Sequence, residues 1–138
     1  MELEEKVRNK VKHKVGLDRK RLINSFKYAF IGIFKSYKGE QNLKIHTIIG
    51  IIVIICGIIL KLTKLEWIIV IILIGLVLMA EFFNTAIEYV VDLASPNIHP
   101  LAAAAKDTAS SGVLIIAISS AIVGLIIFIP KIITFFGG

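Results

Sequence analysis

Three long apolar segments constrain this chain of 138 residues more than any other feature of its sequence. They lie at about residues 43–61, 67–92 and 102–130, and with their polar flanks each can cross a hydrocarbon core of about 30 Å as a helix. Apolar residues make up 57% of the chain, which exceeds the fraction in an ordinary soluble domain. Because the chain has room for only one core, this excess predicts an all-α membrane protein with three transmembrane helices.

The segment before the first span has the pattern of a helix that lies in the membrane interface. Over residues 19–38, an apolar and aromatic face that includes Leu22, Phe26 and Phe30 alternates with several lysines and arginines. Residues 1–20 are predicted to form a basic arm ahead of the membrane domain, which comprises residues 21–138.

Charge is distributed unevenly along the chain, and the imbalance predicts an orientation. Residues 1–44 contain twelve Lys and Arg against five Asp and Glu, whereas the remainder contains four against five. Such a basic segment can bind nucleic acid or an anionic membrane surface, and the spans directly downstream favour the membrane surface. Since basic residues favour the cytoplasmic side, we expect the N terminus and the segment at 94–110 inside and the C terminus outside.

The second apolar segment ends in a stripe of polar side chains on one helix face. Glu81, Asn84, Glu88 and Asp92 follow one another at intervals of three and four residues, which confines them to an arc of about 80°. Burying a carboxylate near the bilayer centre costs about 2.5–3.5 kcal/mol, so the stripe needs a compensating metal ion, lysine or proton. A solvated helix end would explain Asp92 and Glu88, but Glu81 lies fourteen residues into a span that begins at Trp67.

Two groups elsewhere in the sequence can help to balance this charge or share a cation with it. Lys106 lies next to Asp107 at the start of the third span, where a plain surface pair is the alternative interpretation. Glu40 lies between the interface helix and the first span, where a helix cap is the alternative. Magnesium prefers oxygen ligands, commonly one or two carboxylates plus phosphate oxygens, so Glu40 and Glu88 together with ATP would satisfy it. No GxxxxGK phosphate-binding string occurs in the sequence.

At these residues the sequence resembles the bacterial diacylglycerol kinase/undecaprenol kinase family of small membrane-bound lipid kinases. The resemblance rests mainly on AEFFNTAIEYVVD at 80–92, on AKDTAS at 105–110 and on the fourteen-residue interval from Asp92 to Lys106. SFKYAFIG at 25–32 and the ExN string at Glu40–Asn42 add to it. It extends from about Arg21 onward, and residues 1–20 lie outside it.

The resemblance implies a reaction and an assembly. The reaction is the Mg²⁺-dependent transfer of the γ-phosphoryl group of ATP to the hydroxyl of a membrane lipid. The assembly is a homotrimer of three-span subunits in the bacterial plasma membrane, with the active sites shared between subunits and facing the cytoplasm.

The resemblance also implies a role for individual residues, carried over by position. Glu81 corresponds to the catalytic base, and Glu40 and Glu88 correspond to magnesium ligands. The implied nucleotide and phosphate contacts are Tyr28, Asn84, Asp92, Asn97, His99, Lys106 and Asp107. The residues implied to lie near the lipid, besides Glu81, are Arg21, Ser25 and Ser110.

The acceptor lipid and the class of function have alternatives. The strings SFKYAFIGI and EQNLKIH, the second containing Asn42 and His46, resemble the Gram-positive branch of the family, which favours undecaprenol over diacylglycerol. From the residues alone, the stripe could instead line a small oligomeric ion or proton channel. A third hypothesis is a membrane adaptor that acts through its basic arm.

Overall fold

The computed structural model describes residues 19–137, and these residues form four helices. In chain order the helices are α1 (Arg19–Gly39), α2 (Gln41–Ile59), α3 (Lys64–Ala94) and α4 (Pro100–Gly137). No strand occurs between residues 19 and 137, so the predicted all-α class is confirmed for this part of the chain. The predicted basic arm lies almost entirely outside the described residues.

Three of the helices, α2, α3 and α4, are long and apolar enough to cross a membrane. Most of their large apolar side chains are exposed on the surface of the single chain. A surface of this kind is stable against lipid tails or another apolar protein face, but not in water. The prediction of three membrane-spanning helices is therefore confirmed by their length and composition.

The chain divides into two compact units, the first ending at Lys35 and the second beginning at Ser36. Within the first unit, α1 exposes apolar side chains such as Leu22, Phe26 and Phe30. This exposure fits the amphipathic pattern of the sequence, and the location of α1 in the membrane interface stays a prediction. The second unit contains the end of α1 and the three long helices.

A tight turn joins α2 to α3. Lys61 adopts a positive φ of 53°, the conformation that reverses the chain after the last turn of α2. Thr63 and Glu66 then form a capping box, in which each side chain accepts a hydrogen bond from the backbone N–H of the other residue. The two helices consequently run antiparallel from a defined starting point.

Close packing of small residues keeps α2 and α3 together. A Cβ atom built at Gly57 would lie 2.9 Å from Cη2 of Trp67, and one built at Gly50 would lie 3.2 Å from Cγ2 of Ile74. Small residues at such positions let membrane helices approach closely. The half-buried Trp67, at the predicted start of the second span, therefore packs against α2.

The last helix is longer than the predicted span at both ends. It begins at Pro100, where a proline fits because the first helical N–H has no intrahelical partner, and it continues through Pro130 to Gly137. Membrane helices tolerate an internal proline because neighbouring groups compensate for the missing hydrogen bond. Lys131, directly after this proline, forms a 3.0 Å ion pair with Glu66 at the start of α3.

Candidate active site

The polar stripe on α3 contains the most deeply buried polar side chains of the described residues. Glu81, Asn84 and Thr85 are buried, with relative exposures of 2%, 7% and 1%. They occupy two successive turns of a helix whose preceding fourteen residues, from Trp67 to Ala80, are apolar or glycine. Burying a carboxylate without a partner would be strongly unfavourable, so the contacts of Glu81 are informative.

Glu81 is paired with a histidine on the neighbouring helix. Nε2 of His46 on α2 lies 3.2 Å from Oε1 of Glu81, and the side chains are 23% and 3% exposed. The sequence predicted a metal, a lysine or a proton as the compensating group, and the structure supplies an imidazole. The sequence analysis names His46 only as part of the string EQNLKIH, because nothing in one sequence indicates which residue of α2 faces Glu81.

One turn along the stripe, Asn84 and Glu88 are joined by a hydrogen bond. Nδ2 of Asn84 donates to Oε1 of Glu88 at 2.8 Å, which orients the carboxylate. The amide oxygen of Asn84 is buried and has no hydrogen-bond partner in residues 19–137. A buried acceptor of this kind is unfavourable unless it meets a donor or a cation.

At the end of the stripe, Asp92 pairs with Lys106. Nζ of Lys106 lies 2.6 Å from Oδ1 of Asp92, and the side chains are 37% and 63% exposed. Lys106 thus bonds across to α3, whereas Asp107 is exposed, and whether the two residues serve the site or are a plain surface pair stays a prediction. The positive charge of Lys106 also acts on Glu88, which extends its influence along the stripe.

Glu40 completes a group of three acidic side chains around the stripe. It occupies the N-cap position of α2, but its side chain makes no capping hydrogen bond. The negative charges of Glu40 and Glu88 both act on Glu81. A cation bound nearby would offset the mutual repulsion among the three carboxylates.

Magnesium fits this donor set better than a transition metal does. Within residues 19–137, no group of three or more His, Cys, Asp and Glu side chains is arranged to enclose a metal ion. Magnesium needs fewer protein ligands than that, because it retains water and binds phosphate oxygens. The carboxylates of Glu40 and Glu88 and the unpartnered amide oxygen of Asn84 are all oxygen donors of the kind it prefers.

Tyr37 supports the site from the end of α1. Its ring packs edge to face against Phe82, with the ring centroids 6.3 Å apart, and its hydroxyl is hydrogen-bonded to Thr47 of α2. These contacts fix the chain on both sides of Glu40 and next to Glu81. Sequence reasoning missed Tyr37, because its two partners lie 45 and 10 positions away on different helices.

The other predicted site residues are less constrained. Asn97, His99, Asp107 and Ser110 are exposed, in the α3–α4 loop or the first turns of α4. The Nδ1 atom of His99 accepts a hydrogen bond from the backbone N–H of Leu101, which leaves Nε2 as its other polar atom.

Three further predicted residues lie in the first compact unit. Arg21, Ser25 and Tyr28 all precede Lys35, and the Ser25 hydroxyl donates to the Arg21 carbonyl oxygen at 2.9 Å. Their assignment to the lipid or the nucleotide stays a prediction.

Comparison with known families decides among the hypotheses for this site. The sequence model described as prokaryotic diacylglycerol kinase matches residues 27–128, which include the entire polar stripe. The chain belongs to the prokaryotic diacylglycerol kinase family. The predicted resemblance is thus confirmed, and as a member of this family the chain is a membrane lipid kinase that uses ATP.

Relatives of this diacylglycerol kinase family member carry two names. The chain is 43% identical to the undecaprenol kinase of Bacillus subtilis (strain 168) over 111 residues, which cover 80% of this chain and 90% of the relative. It is 36% identical to the diacylglycerol kinase of Synechocystis sp. over 114 residues, covering 82% and 65%. It is also 36% identical to the diacylglycerol kinase of Haemophilus influenzae over 94 residues, covering 68% and 80%.

Proposed function

We propose that this protein transfers the γ-phosphoryl group of ATP to the hydroxyl of undecaprenol, with Glu81 as the general base. The observation that carries the proposal is the buried Glu81 on a membrane-crossing helix, followed along the same face by Glu88 and Asp92. The choice of acceptor is supported by the relative named undecaprenol kinase, of which the match covers 90%. Diacylglycerol is the alternative acceptor, because other relatives carry that name.

The arrangement of the stripe suits a reaction between a water-soluble and a lipid substrate. From Asp92 to Glu81 the helix rises about 16 Å, at about 1.5 Å per residue. The exposed Asp92–Lys106 pair is accessible to a nucleotide, whereas Glu81 lies deeper, where the hydroxyl of a membrane lipid can reach it. Phosphoryl transfer depends mainly on positioning and on neutralising charge, and a stripe that spans both environments provides the positioning.

The proton and phosphoryl transfers balance as follows. The carboxylate of Glu81 accepts the proton of the lipid hydroxyl while the hydroxyl oxygen bonds to the γ-phosphorus of ATP. The bond from that phosphorus to the β,γ-bridging oxygen breaks, and ADP leaves. The products are the lipid monophosphate and ADP, and Glu81 returns its proton to solvent.

Negative charge on the phosphates must be neutralised during transfer, and residues around the stripe are suited to this. We assign Mg²⁺ to Glu40 and Glu88, and when bound it would offset the charge on the transferring phosphoryl group. The ammonium group of Lys106 would bind a phosphate oxygen as a point charge. The residues proposed to complete the nucleotide site are Tyr28, Asn84, Asp92, Asn97, His99 and Asp107.

The lipid contacts, the assembly and the orientation are further parts of the proposal. Arg21, Ser25 and Ser110 are proposed to lie near the lipid headgroup. A homotrimer would cover part of the apolar surface that the single chain exposes on α2, α3 and α4. We propose that the N terminus and the nucleotide site lie in the cytoplasm, which the excess of basic residues in the first 44 positions supports.

A two-substrate assay tests the proposal. Purified protein in phospholipid vesicles receives labelled ATP, Mg²⁺ and either undecaprenol or diacylglycerol, and the lipid fraction is counted. We expect label in undecaprenol, and a loss of at least about 100-fold in kcat for Glu81→Gln, which cannot act as a base. If only diacylglycerol is labelled, the same mechanism acts on the alternative acceptor. If neither lipid is labelled, the proposal is contradicted.

A further inference from the structure

We propose that His46 is the positioning residue for Glu81: it holds one carboxylate oxygen in place so that the other faces the lipid hydroxyl. This inference rests on the proposed function, because it concerns how the general base is oriented. Neither the match to the family nor the names of the relatives assigns a role to His46. It follows from the position of an imidazole against a buried carboxylate within a membrane-crossing helix pair.

The first step is the chemistry of the contact. Nε2 of His46 and Oε1 of Glu81 are 3.2 Å apart, which is within the range of a hydrogen bond. An ionised carboxylate can only accept, so Nε2 must carry the hydrogen when Glu81 is ready to act as a base. Oε1 is then occupied, and Oε2 is the oxygen that remains for the lipid proton.

The second step is the absence of a better donor to Glu81. Glu40 and Glu88 act on Glu81 with like charge, so neither stabilises its ionised form. Lys106 is engaged by Asp92, eleven residues further along α3. His46 is therefore the donor that the described structure provides for this carboxylate, and its removal would leave neither carboxylate oxygen held by a hydrogen bond.

The third step is the environment of the pair. His46 also lines a partly open cavity of about 400 Å³ between α2, α3 and α4. His46 is the first residue of α2 that lines this cavity, and Val77, one turn before Glu81, is the last residue of α3 that does. Because the two helices run antiparallel, His46 and Val77 lie at the same end of the cavity. The remaining lining is apolar apart from Ser120. In surroundings this poor in water, a hydrogen bond to a charged group is stronger than at a surface.

The packing of α2 and α3 explains why the contact is fixed. The helices run antiparallel from the turn at Lys61, with Gly57 against Trp67 and Gly50 against Ile74. His46 and Glu81 lie beyond this contact, one helical turn from Gly50 on α2 and two turns from Ile74 on α3. The imidazole is thus held by close backbone approach and does not depend on a flexible loop.

Two substitutions at position 46 separate orientation from packing. His46→Leu keeps a side chain of similar size but removes the donor, whereas His46→Gln retains an N–H donor. We expect kcat for lipid phosphorylation to fall about 100-fold in His46→Leu, the effect of misplacing a catalytic group by about 1 Å. We expect kcat of His46→Gln to be at least about tenfold higher than kcat of His46→Leu. KM for ATP should stay within about twofold of the wild-type value in both variants.

Ile45→Ala is the matched control, because Ile45 is the neighbour of His46 on α2 and its side chain is exposed. We expect its kcat within about twofold of the wild type, since exposed positions tolerate truncation. The inference is overturned if His46→Leu keeps kcat within about threefold of the wild type, if His46→Gln is as impaired as His46→Leu, or if KM for ATP rises together with the loss of kcat.

A spectroscopic measurement covers the case in which His46→Leu does not fold. ¹⁵N NMR of histidine-labelled protein reports which ring nitrogen carries the hydrogen, and we expect Nε2–H in the wild type. Glu81→Leu removes the acceptor, so the His46 signals should change while those of His99 do not. Unchanged His46 signals would overturn the inference. The proposed function fails separately, if wild-type protein labels no lipid.

Discussion

Lys106 and Asp92 form an ion pair of 2.6 Å that joins the first turns of α4 to the last turns of α3. Lys131 and Glu66 form a second pair between the same two helices, at the far end of the bundle. Both lysines lie on α4 and both acids on α3, but only the first pair adjoins the polar stripe. On the proposed function, only the Lys106–Asp92 pair contacts the nucleotide, so the two pairs allow nucleotide binding to be tested apart from helix docking.

The first prediction uses these two lysines. Lys106→Met should raise KM for ATP about tenfold or more, because a charge-assisted contact to phosphate is worth about 1.5–3 kcal/mol. Lys131→Met should leave KM for ATP within about twofold, since its pair with Glu66 stabilises only the far end of the helices. Steady-state kinetics with saturating lipid measure both, and equal effects would argue against a nucleotide contact for Lys106.

The second prediction concerns magnesium. Glu88→Gln removes a proposed magnesium ligand, and we expect the Mg²⁺ concentration for half-maximal activity to rise at least about tenfold. Substitution of residues that only orient a metal ligand already lowers metal affinity by about 10–100-fold. Asn84→Leu removes the hydrogen-bond donor that orients Glu88, and it should raise the Mg²⁺ concentration for half-maximal activity by a smaller factor. Glu66→Gln on the same helix serves as control, and a magnesium requirement unchanged in Glu88→Gln would exclude this carboxylate as a ligand.

The third prediction concerns the packing of α2 against α3. Gly57→Ala places a methyl group 2.9 Å from Cη2 of Trp67, so the ring must move, and we expect the free energy of unfolding to fall by about 1–3 kcal/mol. Gly124→Ala adds the same group where nothing lies within 4 Å, and stability should be unchanged or slightly higher. Unfolding in mixed micelles followed by circular dichroism compares them, and equal stability of the two variants would refute the close approach.

The fourth prediction concerns Tyr37. Tyr37→Phe keeps the ring against Phe82 but loses the hydrogen bond to Thr47, which should destabilise the protein by about 1 kcal/mol. Thr47→Val removes the other partner, so the double variant should lose less than the sum of the two single effects. The same unfolding assay, applied to the wild type, the two single variants and the double variant, gives a double-mutant cycle. If the losses of unfolding free energy are strictly additive, the two hydroxyls do not interact.

The sequence predicted the features that depend on periodicity within one helix. Glu81 and Glu88 lie on one face of α3 because the helical repeat places residues seven apart on the same side, and no tertiary information is needed to see this. The three apolar spans follow from composition and length alone. The family was identified from motifs, and the match over residues 27–128 confirmed it.

The sequence could not predict which residues meet across helices. The His46–Glu81 and Lys106–Asp92 contacts depend on the rotation and register of helix pairs, which close packing such as that of Gly57 against Trp67 determines. The sequence also left the end of the third span open between Pro130 and Phe136, whereas α4 continues through Pro130 to Gly137. Proline ends many soluble helices, but within a membrane the helix is retained because no water is available for an unfolded backbone.

The lengths of α3 and α4 have a consequence for how the two substrates approach the enzyme. With 31 and 38 residues, these helices extend about 46 Å and 57 Å, well beyond a hydrocarbon core of about 30 Å. On the proposed function, Lys106 therefore lies in the aqueous phase, on the end of α4 that extends beyond the hydrocarbon core, while Glu81 stays within the bilayer. A lipid alcohol can arrive by lateral diffusion within one leaflet and ATP by diffusion through water, so neither substrate has to leave its own solvent before phosphorylation.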